Sequence, residues 1–330
     1  MLMLLAALAT GCFLRRDGGE VNYDDPLGTR LKRLTYFGSI TGHNDNLLSK
    51  PLGVAVAAGV VYIVDRKTPP PNLPLPSLVT GRVQAFREKD GKFLYAFNRA
   101  GPRRALDQPS SIAIHPKTGN LFVADYGHGE VLQFKPRGQF VGEVKPPGGA
   151  VPTWSPAAIT FDAEANLYVL DSGPKRARVV ALEGTSRLRK VVGRIGASKE
   201  PEGNPGRFWY PAGVAVARDG SIFVSDSLNK RIQVFAADGA FRKIIYTGGQ
   251  PRGIVSAPNG LLIVPDAYTH EFVLYSPDGN QIANFGEEGY NGGRFTSPNG
   301  VALDARKAWV FIADPGTNRV EVWAPVGTKK

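Results

Sequence analysis

The sequence predicts an all-β protein, a six-bladed propeller of four-stranded antiparallel blades, and three observations carry that reading. Short runs rich in Val, Ile, Phe and Tyr alternate apolar and polar residues, and no sustained helical spacing follows residue 12. Gly (39) and Pro (26) make up about a fifth of the chain without a collagen period, which calls for many turns. A template of Pro, short strand, turn, second strand ending in Asp, polar loop and third strand recurs six times. A unit of that size with four strands is a propeller blade.

In chain order, the first element is a leader. "MLMLLAALATGC" is an apolar run too short to span a bilayer, which needs about 20 apolar residues. It fits the apolar core of a secretory signal, residues 1–11. The small residues Ala9, Thr10 and Gly11 ahead of Cys12 resemble the bacterial lipoprotein box, in which the cysteine is acylated and becomes the mature N-terminus. Cys12 is the chain's single cysteine, so it has no internal disulfide partner. No Lys or Arg precedes the apolar run, a departure from the usual signal. Phe13 in place of Asp resembles the outer-membrane sorting pattern. Residues 12–32 then read as the lipidated Cys and a polar tether.

A lone strand, Leu34–Thr41, comes next, followed by the six copies, which start near 51, 109, 156, 211, 251 and 298. Copy one, "PLGVAVAAGVVYIVDRK", is interrupted and resumes at residue 81. Copy four, "PAGVAVARDGSIFVSDSLNKRIQVF", is the clearest. Copy six runs out of chain after its third strand. The lone strand is therefore expected to complete blade six and close the ring, because two unpaired edges would invite aggregation. The copies resemble the NHL repeat, above all "GVAV" through "RIQVF", and the resemblance covers residues 33–330. It implies the propeller fold and is silent on activity.

The repeat also decides the role of its carboxylates. Asp65, Asp125, Asp171, Asp226, Asp266 and Asp314 lie 14 to 16 residues after the Pro of their copies. Catalysis needs such a group once or twice, in an asymmetric setting. Six equivalent copies instead imply a turn-forming role, accepting backbone N–H bonds in the loop after strand two.

Function is expected where the repeat breaks on the face that carries the two-to-three and four-to-one loops. Residues 68–80 form a proline-rich insertion of polyproline II character. Trp154 and Trp209 each sit two residues before a blade's Pro and are expected to be neighbours. With Arg207 and Tyr210 they make an aromatic candidate for a sugar, a base or a proline-rich peptide. Phe208 and Phe295 match an aromatic that the resembled family tucks under the loop. Cations on the same loops, Arg66, Lys67, Lys175, Arg176, Lys230, Arg231 and Arg319, would meet an anionic ligand. The formal charge is +11, spread along the chain.

Six-bladed relatives include metal-dependent lyases and lactonases. The lyase type uses several His around zinc, but His43, His115, His128 and His270 fall on separate blades or faces and are not expected to converge. The lactonase type uses a Glu, an Asn and an Asp around calcium. "SPNGVALD" resembles one such fragment through Asn299, without a companion Glu. The reading therefore favours a non-enzymatic binding or scaffold module with no cofactor, lipid-anchored in the bacterial cell envelope. Its partner would be an envelope protein or an anionic or glycan ligand, and not nucleic acid. A metal-dependent lyase or lactonase-like hydrolase working at the central tunnel, and an extracytoplasmic sensor domain, are the alternatives.

Overall fold

A computed structural model describes residues 25–42, 46–66, 80–102, 104–173, 176–192, 194–195 and 204–329. The leader, Cys12, Lys67, Lys175 and nearly all of the proline-rich insertion lie outside these residues.

Among them, six four-stranded antiparallel blades are arranged as a propeller. Blade one is Pro51–Ala57, Val60–Arg66, Thr80–Arg87 and Phe93–Phe97, and blade two is Pro109–Ile114, Leu121–Asp125, Glu130–Phe134 and Phe140–Val144. Blade three is Pro156–Phe161, Leu167–Gly173, Arg176–Glu183 and Arg187–Val192, and blade four is Pro211–Val216, Ile222–Asp226, Arg231–Phe235 and Phe241–Tyr246. Blade five is Val255–Ser256, Leu262–Asp266, Glu271–Tyr275 and Gln281–Phe285. Blade six takes Gly300–Asp304, Trp309–Asp314 and Arg319–Pro325 from the C-terminal end and Leu34–Ile40 from the N-terminal end. That last pairing, Leu34 opposite Pro325 through Ile40 opposite Val320, closes the ring.

The alternation of strand residues explains the packing. Side chains of one strand point in turn to the two neighbouring blades. In blade one, Val61 and Ile63 enter the junction with blade six, while Tyr62 and Val64 enter the junction with blade two. Each of the six junctions holds its own apolar cluster. Second strands are covered on both sides and are buried along their length, as in Leu121–Asp125 and Ile222–Asp226. Outer strands such as Phe93–Phe97 alternate half-buried and exposed residues.

The tether expected to extend to residue 32 ends sooner. Pro26–Leu31 is a short helix, capped by Asp25, whose side chain accepts from Gly28 N at 2.6 Å. Leu27 and Leu31, four residues apart, share one face and bury it against Ala257, Leu261 and Ala308 between blades five and six. Those two leucines outweigh the polar residues around them.

Candidate functional site

The six carboxylates are buried, and each accepts at least one backbone donor from the loop entering its own blade; Asp266 and Asp314 also take donors from the loop after strand two, as expected. Asp65 Oδ1 takes Ser49 N (2.9 Å) and Lys50 N (2.8 Å), just ahead of Pro51. Asp125 takes Asp107 N, Asp171 takes Ser155 N, and Asp226 takes Trp209 N at 2.6 Å. Asp314 takes Thr296 N and Ser297 N. Asp266 takes Gln250 N and also Tyr268 N and Thr269 N in the loop after strand two. The entering loop is within reach because Asp and Pro stand opposite each other in the ladder, as in Pro51↔Asp65 and Pro211↔Asp226. The second oxygen often meets a third-strand arginine: Arg82 at 3.0 Å, Arg178 at 2.9 Å and Arg231 at 2.8 Å. In blade two a single oxygen, Asp125 Oδ2, meets both Asp107 N and His128 Nδ1, each at 2.9 Å. Burial pushes the Asp125 carboxyl up, and the His128 hydrogen bond opposes that shift.

Several expected surface residues are structural. Trp154 is buried between blades two and three. It fills the place that Leu48, Leu106, Phe208 and Phe295 fill at their own junctions. Those four lie three residues before their Pro and Trp154 lies two before, so aligning on Pro hid the equivalence. Trp209, one residue beyond the Phe208 plug, is half-buried, so the expected pair of exposed tryptophans does not form. Arg231 is only 1% exposed and bound to Asp226. Arg319 is tied to Glu321 Oε1 at 2.5 Å and to the Asn291 carbonyl at 3.0 Å. Asn299 Nδ2 donates to Leu52 O at 2.9 Å, bridging blade six to blade one. The Arg176 side chain lies outside the described atoms.

What remains converges on the loop-face mouth of the central channel. First strands line a channel of about 650 Å3. Small residues keep it open yet let blades touch: a Cβ on Gly300 would lie 2.3 Å from Leu52 O, and one on Gly213 would lie 2.4 Å from Arg252 O. At the mouth stand Arg66, Ser110, Tyr210, Arg252 and Asn299. Arg66 is held over it by hydrogen bonds to the carbonyls of Gln108 (3.1 Å) and Pro109 (3.2 Å). Arg252 is half-buried, and among the described residues its guanidinium has no hydrogen-bond or ion-pair partner. Burial lowers the pKa of both guanidiniums. Asp107 and Asp125 oppose the shift at Arg66, and Asp266 opposes it at Arg252. Tyr210, 69% exposed, adopts a left-handed φ of 49° on the rim. Lys230 lies on the same face, 5.0 Å above the Tyr268 ring, and Arg207 is exposed.

The described histidines stay apart in role. His128 bonds Asp125, His115 accepts from Lys117 N and Thr118 N on the opposite face, and His270 lies 4.0 Å from Glu288. Among the described residues, no three His, Cys, Asp or Glu side chains converge to hold a metal ion. His115, His128 and His270 thus stand at three separate places, and His43 lies outside the described residues. Sequence reasoning missed Arg252 and Ser110 altogether. The available signal was an arginine directly after a blade's Pro, where the other copies carry Leu, Ser, Ala or Asn.

Comparisons with known proteins agree with this architecture. The NHL repeat family model matches residues 208–235, the region of the clearest copy. NHL repeat-containing protein 3 of Mus musculus is 24% identical over 288 residues, covering 81% of this chain and 76% of the relative. NHL-repeat-containing protein 4 of Homo sapiens is 30% identical over 87 residues, 24% of this chain and 71% of the relative. Among solved structures, a gluconolactonase from Xanthomonas campestris superposes with a TM-score of 0.59 at 16% identity, covering 84% of this chain and 86% of that one. Virginiamycin B lyase from Staphylococcus aureus gives 0.56 at 14% identity, covering 90% and 89%. At these identities the two enzymes are alike in fold alone. The recurring template, the six blades and these relatives together place the chain among the NHL-repeat β-propellers.

Proposed function

We propose that this propeller is a binding module that captures an acidic group at its loop-face mouth, between Arg66 and Arg252. The observation carrying the proposal is the Arg252 guanidinium: half-buried at the channel mouth and, among the described residues, without a hydrogen-bond or ion-pair partner. A half-buried guanidinium is only partly hydrated, so an ion of opposite sign gains by completing its hydrogen bonds. Two planar guanidiniums match a carboxylate or phosphate, which accepts paired N–H bonds. Tyr210 would cover an apolar or sugar-like portion of the same ligand. The partner is then an acidic glycan or an acidic side chain of an envelope protein. Cys12 would hold the module, acylated, on the bacterial envelope membrane.

Propellers of this shape occur both in a nidogen–laminin complex and in enzymes. Titration calorimetry with glucuronate, inorganic phosphate and an acidic peptide tests the binding proposal. Arg252→Met is expected to weaken the best probe about ten- to a hundredfold, the range for a hydrogen bond to a charged group. Unchanged affinity in Arg252→Met would refute it. Turnover of a lactone by the wild type but not by Arg252→Met would replace it with a catalytic role. Detergent-phase partitioning that is lost in Cys12→Ser tests the anchor.

A further inference from the structure

The face opposite the channel mouth has a composition of its own. It is built from the one-to-two and three-to-four turns, and the N-terminal segment joins the propeller there. Asp25 Oδ1 accepts Asn259 Nδ2 at 3.0 Å in the first turn of blade five. Arg30 Nη1 donates to Arg306 O at 2.9 Å in the first turn of blade six. The Leu27–Leu31 face seals the junction beneath. The described chain therefore begins on this face.

The face is also basic. Arg33, Lys89, Lys117, Lys135, Arg137 and Arg218 are exposed on its turns or beside the helix, and none has a carboxylate partner among the described residues. Most acids on the same turns are already neutralised. Asp90 pairs with Arg87, Glu183 with Arg187, Asp219 with Arg242, Asp278 with Lys243, and Asp304 with Lys307. Among the described residues, free positive charge therefore outnumbers free negative charge on the side where the described chain begins.

We propose that this turn face rests on the anionic headgroups of a lipid bilayer, so that the channel mouth opens away from the membrane. Each exposed Lys or Arg near an anionic bilayer adds roughly a fivefold gain in partitioning, and the gain decays within a Debye length of roughly 10 Å at 0.1 M salt. The twelve residues between Cys12 and Asp25 reach at most about 45 Å when extended, so an anchor at Cys12 keeps this face near the surface. The orientation rests on the anchor reading for its tether. The surface chemistry stands without it.

The test uses the full chain carrying Cys12→Ser, so that vesicle binding reads the surface and not acylation. Co-sedimentation is measured with phosphatidylcholine vesicles, with and without phosphatidylglycerol, at low and high salt. The expected result is stronger binding to the anionic vesicles, falling as salt rises. The triple variant Lys117→Ser, Lys135→Ser, Arg137→Ser is expected to lose about tenfold or more of that binding. The loop-face control Arg207→Ser, Lys230→Ser is expected to stay within about twofold. Equal binding to neutral vesicles, an unaffected triple variant, or an equal loss in the control would each overturn the proposal. Retention of the wild-type chain on salt-washed membranes reports the anchor separately, so failure of the anchor and failure of the surface are read in different arms.

Discussion

Replacing Asp226 with Ala separates a structural carboxylate from a chemical one. Four donors end on this side chain: Trp209 N (2.6 Å), Asn229 Nδ2 (2.8 Å), Arg231 Nε (2.8 Å) and Gln233 Nε2 (2.9 Å). Its removal takes the carboxylate from Arg231, which is 1% exposed, while the guanidinium keeps its hydrogen bond to the Arg207 carbonyl at 3.1 Å. Breaking a buried pair in this way costs about 3–5 kcal/mol. A folded body of about 300 residues unfolds with an entropy near 0.6 kcal/mol/K, so the melting temperature falls by about 5–8 °C. Thermal unfolding followed by far-UV circular dichroism reads this directly. Adding Arg231→Met to Asp226→Ala removes the buried charge that has lost its carboxylate and is expected to restore part of the loss. If Asp226→Ala melts within about a degree of wild type, the structural account of all six aspartates fails.

Other outcomes follow from the same geometry. Trp154→Ala is expected to lose about 3–5 kcal/mol in chemical denaturation, because it empties the plug between blades two and three, while Trp209→Ala loses clearly less. Gly300→Ala pushes a methyl group against the Leu52 carbonyl and is expected to cost about 1–3 kcal/mol. Gly142→Ala, with no atom within 4 Å of the new carbon, is the silent control in the same denaturation series. Burial pushes the Glu321 carboxyl above 4.5, against the hydrogen bond from Ser39 on the closing strand and the charge of Arg319. A raised folded pKa means that Glu321 contributes stability fully below its unfolded value and loses it as pH rises through the folded value. Glu321→Gln is therefore expected to gain melting temperature relative to wild type as pH is raised from 4 to 8. A difference that stays constant across that range would refute the assignment.

The repeat was legible because a propeller writes the same local instructions six times. Pro opens each copy and Asp closes its second strand. The Val- and Ile-rich run between them can be satisfied only by cover on both sides. A missing fourth strand in the last copy and a spare strand before the first then specify closure without coordinates, because strand edges must pair. The residues of the proposed site were legible only in part. Arg66 belonged to the expected cationic loops, but Arg231 and Arg319 were read as equally available. A sequence places a charge on a loop without saying whether a carboxylate waits beneath it.

Sequence alone determined the blade count, the ring closure and the structural rather than catalytic role of the repeated aspartates, since each follows from periodicity and the need to pair backbone groups. Only the tertiary structure decided which side chains are left over. Trp154 became a plug through a one-residue offset, Arg231 was consumed by Asp226, and Arg252 was left at the mouth without a described partner. The same is true of the basic turn face, whose members lie far apart along the chain and meet on one side only when the blades stack. Local pattern dictates elements, whereas the pairing of charges is a property of distances that no single stretch contains.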